Sequence, residues 1–175
     1  DDSARGSVGA GSGMSCFSLK GGIGSASRSI PSLNATLGVL VLANFGALNA
    51  LTLDGVRLGE MIGPLLPELT PQRDAGSIII IMATDAPLDA RQLKRIAKRA
   101  GAGLGRLGSY WGHGSGDIAV AFSTQTQPNP PEDAALEPLL AAAADATEHA
   151  VLDALLSAEA VTGFRGHHRP SLTQV

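Results

Sequence analysis

The residues that could do chemistry most directly are Gly76 and Ser77, at the start of the stretch GSIIIIMATDAP. A serine hydroxyl is a poor nucleophile until a base takes its proton, and no histidine lies near Ser77 in the sequence. If the Gly76-Ser77 bond were cut, Ser77 would carry a free α-amine with a pKa of about 8, which could act as that base. Glycine at 76 has no Cβ, so its carbonyl is open to attack by the Ser77 hydroxyl. By themselves, these residues still fit an ordinary strand that begins with serine better than a self-cleaving bond.

The other candidate groups in the sequence are its histidines and one glycine-rich loop. The histidines are His113, His149, His167 and His168, and none has partners at metal-ligand spacing. The His167-His168 pair is typical of a solvated tail, whereas a Ser-His-Asp triad at His113 would depend on a geometry that no sequence shows. The loop VGAGSGM lacks the Lys-Ser/Thr ending of a phosphate-binding loop. We therefore predict no cofactor and no metal site.

The strands and helices that position these residues can be predicted from hydrophobic periodicity. Met14 to Leu19 fits a short strand, and the apolar segment ATLGVLVLANFGAL fits a central strand that ends near Asn44. The four isoleucines after Ser77 predict a strand that is buried on both faces. An exposed connection without regular structure is expected before that strand, from Asp54 to Asp74, because this segment contains three prolines.

Downstream of the isoleucines, two helices are expected on either side of another strand. Apolar residues at spacings of three and four predict one amphipathic helix from Leu93 to Leu107, weakened toward its end by glycines. The alternation in GDIAVAFSTQT predicts a strand. A second helix opens after NPPEDAA and continues to Gly163, and its many alanines would let it lie close to its support. Because such apolar strands must be covered on both faces, we predict a layered α/β architecture.

Composition argues against several classes of protein. At 175 residues, 44% of them apolar, the chain has the size of one globular domain with a sizeable core. A net charge of −3 and an aromatic content of 3% argue against nucleic acid as a partner. No apolar run reaches the roughly 18 residues of a membrane helix, so no membrane contact is expected. The single cysteine, Cys16, excludes an internal disulfide framework and is compatible with the cytoplasm.

Six motifs distributed over nearly the whole chain carry a resemblance to a known family. They are GAGSGM, KGGIGSASR, LANFG, GSIIIIMATDAP, SGDIAVAFST and AAADATEHAVLDAL. In this order they resemble the motif series of the family that includes L-aminopeptidase D-esterase/amidase and the β-peptidyl aminopeptidases. Its members are similar to N-terminal-nucleophile hydrolases. The resemblance implies a precursor that cleaves itself at a Gly-Ser bond, and an αββα sandwich in which the exposed serine is the catalytic residue.

The matching motifs imply a role for each of several residues. Gly76-Ser77 would be the self-cleavage bond, and Ser77 the nucleophile. Asn44, in LANFG, falls where the family places an oxyanion-hole amide, although alone it would fit a turn at a strand end. Ser115 and Asp117, in SGDIAVAFST, match the hydroxyl and acidic positions that contact the nucleophile and its amine. Lys20 and the glycines of KGGIG would shape the wall of the site.

The resemblance also implies an organisation and a set of partners. The chain starts at Asp1 without methionine, and it lacks the long family segment upstream of GAGSGM, so we expect the C-terminal part of a longer precursor. Residues 1–76 would end the α-subunit segment, 77–175 would form the β-subunit segment, and the sandwich would be incomplete. The residue that recognises a substrate ammonium is not assignable in this chain. The implied partners are this upstream segment, further copies of the protein in a homo-oligomer, and a small peptide, amide or ester with a free amine.

Three functions remain open at this point. The first is a self-cleaving aminopeptidase or amidase that works through an acyl-enzyme on Ser77. The second is an acyltransferase with the same self-processing logic, in which an amine replaces water as the acceptor. The third is a non-catalytic scaffold or binding module that keeps the fold with an unbroken chain.

Overall fold

The computed structural model describes residues 4–69, 76–126 and 129–175. These ranges contain short strands and helices joined by several 3₁₀ turns. The strands are β1 (Ser15–Cys16), β2 (Leu19–Lys20), β3 (Gly22–Ile30), β4 (Ala35–Asn44), β5 (Ser77–Thr84), β6 (Ile118–Ser123), β7 (Val161–Thr162) and β8 (His168–Arg169). The helices are α1 (Leu58–Ile62), α2 (Ala90–Ala97), α3 (Ala100–Arg106) and α4 (Glu137–Leu156).

The centre of the fold is a four-stranded mixed sheet with the strand order β3-β4-β5-β6. β4 pairs antiparallel with both β3 and β5, whereas β5 and β6 run parallel and are connected through α2 and α3. The predictions of β4, β5 and β6 are confirmed. β3 was not predicted, because its sequence GIGSASRSI has few of the β-branched and aromatic residues that favour strands.

Helix α4 covers one face of this sheet and packs across β3 and β4. Six of its buried residues are alanines. At Gly24 of β3, an added Cβ would fall only 2.0 Å from the backbone oxygen of Ala150. Small residues on both elements therefore let the helix and the strand approach closely. This contact explains why β3 is rich in glycine and serine.

The opposite face of the sheet has no covering layer within the part of the chain that the structure describes. Its exposed large apolar side chains are between 38% and 54% exposed, and they are Leu40, Ile79, Ile81, Ile118, Val120 and Phe122. In β5 these alternate with Ile78, Ile80 and Met82, which are fully buried on the helix side. The prediction of burial on both faces was therefore wrong for this chain, because its helices cover only one side of the sheet.

The segment from Met14 to Leu19 forms the hairpin β1-β2 and not the single strand that was predicted. Phe17 and Ser18 take left-handed φ angles of 50° and 65° and reverse the chain direction. The Phe17 ring is buried and meets Phe45 edge to face, with the ring centroids 5.1 Å apart. This aromatic pair fixes the hairpin beside the end of β4.

The predicted helix from Leu93 to Leu107 consists of two helices, α2 and α3, that are separated at Lys98 and Arg99. The second of them contains three glycines, which are poor helix formers. One of these, Gly103, lies against α4 so closely that an added Cβ would fall 2.5 Å from a backbone oxygen of α4. Its glycines thus weaken the helix and permit the contact.

Two other element boundaries differ from those predicted. The connection that starts at Asp54 contains the short helix α1, and its last residues, 70–74, lie outside the described ranges. α4 ends at Leu156, before the predicted stop at Gly163. None of the helices in the described ranges has the length and apolar character needed to cross a membrane.

Asp133, in the turn that leads into α4, connects that helix to α2. Its carboxylate accepts two hydrogen bonds of 2.8 Å from Arg91 and lies 3.0 Å from an Arg95 nitrogen. The Arg91 hydrogen bonds, with a further one from Gln92 and the positive charges of both arginines, lower the pKa of Asp133 to about 2. The pair therefore favours the ionised carboxylate in the folded state.

This pKa predicts how stability depends on pH. Because the folded-state pKa of Asp133 is below the unfolded value, its contribution is complete above pH of about 4 and is lost as pH falls toward 2. We expect Asp133→Asn to lower the thermal midpoint at pH 7 and to have a much smaller effect at pH 2, where about half of the folded-state carboxylate is protonated. Asp54→Asn is the matched control, since Asp54 is exposed and forms no ion pair with another described residue. An equal shift at both pH values for Asp133→Asn would contradict the prediction.

Candidate active site

Ser77 is the first residue of β5, and strand pairing places it opposite Asn44, the last residue of β4. Both residues are half-buried. This register follows from the long antiparallel pairing of two apolar strands, in which a slip of one residue would turn buried side chains to the exposed face. Two residues that are far apart in the sequence are thus neighbours at one edge of the sheet.

The Ser77 hydroxyl accepts a hydrogen bond from the segment just before β6. The backbone N–H of Gly116 donates a hydrogen bond of 3.0 Å to Ser77 Oγ. Gly116 lies just before β6, and the parallel pairing of β6 with β5 brings it to the start of β5. A Cβ on Gly116 would lie 3.3 Å from Ser77 Oγ, so glycine leaves room at this oxygen.

Asp117 is next to this hydroxyl and is held by two hydrogen bonds to one of its oxygens. Oδ1 accepts from the backbone N–H of Ile78 at 3.0 Å and from the Ser115 hydroxyl at 2.5 Å. Oδ2 is buried and has no hydrogen-bond donor among the described residues. A buried carboxylate oxygen without a donor is costly, which makes this position one where a further donor would bind favourably.

The Asn44 side chain is oriented by the β1 segment. Its Oδ1 accepts a hydrogen bond of 3.0 Å from the backbone N–H of Ser15. That contact turns the Nδ2 amide group the other way, and Nδ2 has no acceptor within the described ranges. Because directly opposed residues of paired strands project to the same face of the sheet, the Asn44 and Ser77 side chains lie on one face.

Gly76 lies too close to β4 for any side chain. A Cβ at this position would fall 1.8 Å from the backbone oxygen of Asn44. Glycine is required here because of this close backbone approach, and the requirement is independent of any chemistry at the bond. The same contact keeps the Gly76 carbonyl region next to Asn44 and Ser77.

Lys20 supports the loop that leads into β1. The residue is only 2% exposed, and its ammonium donates to the backbone oxygens of Gly11, Met14 and Gly21 at 2.7 to 2.9 Å. Burial lowers the pKa of Lys20 below its usual value. The position of Ser15, and through it the orientation of Asn44, depends on this loop.

No histidine of the described ranges forms a hydrogen bond with the Ser77 hydroxyl. His113 is exposed, and His149 Nδ1 is 2.6 Å from an Arg28 nitrogen. His168 belongs to strand β8 and its Nδ1 is 2.9 Å from the Thr162 hydroxyl. Both His167 and His168 are exposed, as the interpretation of the pair as solvated predicted, but His168 belongs to the β7-β8 hairpin and not to an irregular tail.

The structure brings Asn44, Ser77, Ser115 and Asp117 together, all four of which the sequence singled out. Two contributors were missed, namely the backbone N–H groups of Gly116 and Ser15. The glycine between Ser115 and Asp117 was a signal for the first. Ser15 gave none, because its contact depends on the turn between β1 and β2.

Comparisons with known proteins bear on the family and the fold of the chain. The chain matches the model of peptidase family S58 over residues 1–169. It is 42% identical to the beta-peptidyl aminopeptidase BapA of Sphingosinicella microcystinivorans, in an alignment that covers 94% of this chain and 48% of that protein. The motif resemblance to the aminopeptidase family is thus confirmed.

Solved structures are similar over almost the entire chain. The PH0078 protein from Pyrococcus horikoshii OT3 is 45% identical with a TM-score of 0.87, over 98% of this chain and 50% of that one. L-aminopeptidase D-Ala-esterase/amidase from Ochrobactrum anthropi, described as a new variant of the Ntn hydrolase fold, is 34% identical with a TM-score of 0.85, over 97% and 50%. This chain therefore has an α/β architecture of the Ntn hydrolase type, and it spans about half the length of these relatives. Because the family model and the similar structures extend over nearly all of its residues, the chain belongs to peptidase family S58.

Proposed function

We propose that this chain is part of a self-processing serine aminopeptidase or amidase, with Ser77 as its N-terminal nucleophile. The observation that carries the proposal is the cluster around Ser77, in which Gly116, Asn44 and Asp117 each supply a distinct group. Relatives named as a beta-peptidyl aminopeptidase and an L-aminopeptidase support the reaction class. The substrates would be small peptides, amides or esters with a free amine.

Self-cleavage would begin with attack of Ser77 Oγ on the Gly76 carbonyl carbon. The C–N bond breaks, an ester forms between Gly76 and Ser77, and the hydroxyl proton ends on the released Ser77 nitrogen. Water then hydrolyses the ester, which leaves a carboxylate on Gly76 and a free hydroxyl and amine on Ser77. The close approach of Gly76 to the Asn44 backbone supports this step, because it restricts the backbone next to the bond that would be cut.

In turnover, the new α-amine of Ser77 acts as the base for its own hydroxyl. Its pKa of about 8 suits proton transfer near neutral pH. Oγ attacks the substrate carbonyl, Asn44 Nδ2 donates to the developing oxyanion, and the proton passes to the leaving amine. Water then attacks the acyl-enzyme ester and releases the acid product.

Asp117 would orient the new amine with the help of Ser115. The buried Oδ2 of Asp117 lacks a donor, and cleavage gives the Ser77 nitrogen additional hydrogens that it can share. The Ser115 hydroxyl and the Ile78 N–H keep Oδ1 fixed while Oδ2 serves the amine. A carboxylate at this place also favours the protonated amine that forms during catalysis.

The proposal includes a division of the chain and a partner for the uncovered sheet face. Residues 1–76 would end one subunit and 77–175 would form the other. An upstream segment of the same precursor would supply the second sheet of the sandwich, and the exposed apolar side chains of β5 and β6 support this. By analogy with the family, the whole protein would form a homo-oligomer.

The two alternative functions have less support. An acyltransferase would need a site that favours an amine acceptor over water, and the relatives have hydrolase names. A scaffold with an unbroken chain would have no use for a free Asn44 amide and an unpartnered Asp117 oxygen beside a serine hydroxyl.

The decisive experiment is denaturing mass spectrometry of the full-length wild-type gene product, together with labelling by a serine-reactive probe. We expect two polypeptides, one of which begins at Ser77 and carries the label. A single uncleaved polypeptide without label would contradict the proposal and favour the scaffold. Competition between water and an added amine for one acyl donor distinguishes hydrolysis from transfer.

A further inference from the structure

A cavity of about 300 Å³ lies between the loop before β1 and the hairpin β7-β8. Its walls include Ser15, Lys20, Phe164, His167 and Arg169, and no acidic residue of the described ranges lines it. We call this the basic cavity. We propose that it is a subsite for the C-terminal carboxylate of a short peptide substrate. This inference rests on the proposed aminopeptidase function and names the substrate class of the same site.

The charges around the basic cavity are not balanced. Neither Lys20 nor Arg169 forms an ion pair with another described residue. Lys20 is almost fully buried, and all three of its hydrogen bonds go to neutral backbone oxygens. A buried positive charge without a negative partner is unfavourable, and an anion in the cavity would relieve that cost.

In the basic cavity, Lys20 and Arg169 would bind a carboxylate in different ways, one through charge and the other through hydrogen bonds as well. Lys20 contributes charge alone, because its three donors are already used. One nitrogen of Arg169 donates to the backbone oxygen of His168 at 3.1 Å, which leaves further guanidinium N–H groups for a ligand. A planar guanidinium can bind a carboxylate through two parallel N–H donors that match its two oxygens.

Ser15 connects the basic cavity to the candidate active site. Its backbone N–H holds the Asn44 amide, and the same residue lines the cavity. In an aminopeptidase substrate the free amine belongs to the acyl part, so the carboxylate belongs to the leaving part. A carboxylate in the cavity would therefore place the scissile carbonyl toward Asn44 and Ser77, with the leaving residues extending along Met14 and Ser15.

The first test uses binding, which does not depend on turnover. Short peptides whose first peptide bond is replaced by a non-hydrolysable reduced amide, and the C-terminal carboxamides of these peptides, are titrated into the full-length protein by calorimetry. We expect the carboxylate form to bind about tenfold more tightly, as one charge-assisted contact would give. Arg169→Gln should remove this preference, and Lys98→Gln, which removes an exposed positive charge at the end of α2 and outside the cavity lining, should keep it. Equal binding of both forms by wild type would overturn the inference.

The second test uses hydrolysis and separates this inference from the proposed function. Each added residue lengthens an extended peptide by about 3.5 Å, so di-, tri- and tetrapeptides sample the distance from Ser77 to the cavity. We expect kcat/KM to favour the carboxylate over the carboxamide at one length, and Arg169→Gln to remove that advantage without slowing the carboxamide. An equal loss for both forms in Arg169→Gln would overturn the subsite. Failure to hydrolyse any peptide would overturn the proposed function, and the binding comparison would still decide the subsite.

Discussion

Replacing Ser77 with alanine is expected to abolish both self-cleavage and turnover, the largest effect of any single change in this chain. The variant keeps Gly76 and the backbone of β5, but it has no oxygen to attack either the Gly76 carbonyl or a substrate. We expect the full-length variant to remain one polypeptide in denaturing mass spectrometry and to lose at least about 10⁴-fold in kcat/KM.

A serine at the other end of the sheet provides the control for this variant. Ser32 is exposed in the turn between β3 and β4, and Ser32→Ala should be cleaved and active like wild type. Similar thermal midpoints for both variants would show that the Ser77 effect is chemical. A Ser77→Ala protein that hydrolyses peptides while uncleaved would refute the assignment of the nucleophile.

Replacing Asn44 with aspartate is expected to give the second-largest effect. An aspartate retains an oxygen that accepts from the Ser15 N–H, but it places a second oxygen where the Nδ2 donor was. The lost donor and the added repulsion should reduce kcat by 10² to 10³, equivalent to about 2.7 to 4 kcal/mol of barrier. The rate is measured on the cleaved fraction, and the rate of self-cleavage is followed in parallel.

The matched control for this change is Asn34→Asp, in the exposed left-handed turn before β4. It changes the same functional groups at a distance from Ser77, so its kcat should equal that of wild type. If Asn44→Asp retained the wild-type kcat at an unchanged thermal midpoint, the amide would have no role in stabilising the oxyanion.

The sequence predicted the parts of the fold whose side chains have a strong local preference. The isoleucines of β5 and the valines and leucines of β4 favour strands in any context. β3 was missed because its glycines and serines are set by the approach of α4 at Gly24, which is a tertiary constraint. The division into α2 and α3 was missed for a similar reason. Gly103 of α3 is required by its close contact with α4, which is also a tertiary constraint.

The candidate site was predicted as a set of residues and not as a geometry. Ser77, Asn44, Ser115 and Asp117 were identified through motifs, but their hydrogen bonds follow from the register of β4 on β5 and of β5 on β6. Backbone donors such as those of Gly116 and Ser15 have no side-chain signature. They become visible only when the strands are placed side by side.

The uncovered face of the sheet has a practical consequence for anyone who handles this polypeptide alone. A broad stripe of isoleucine, valine and phenylalanine in contact with water favours self-association over a dispersed monomer. In the part of the chain that the structure describes, β6 is also an edge strand, and such an edge can pair with another chain. We therefore expect these residues to aggregate when they are produced alone. Co-expression with the polypeptide segment that covers this stripe should increase the yield of non-aggregated protein.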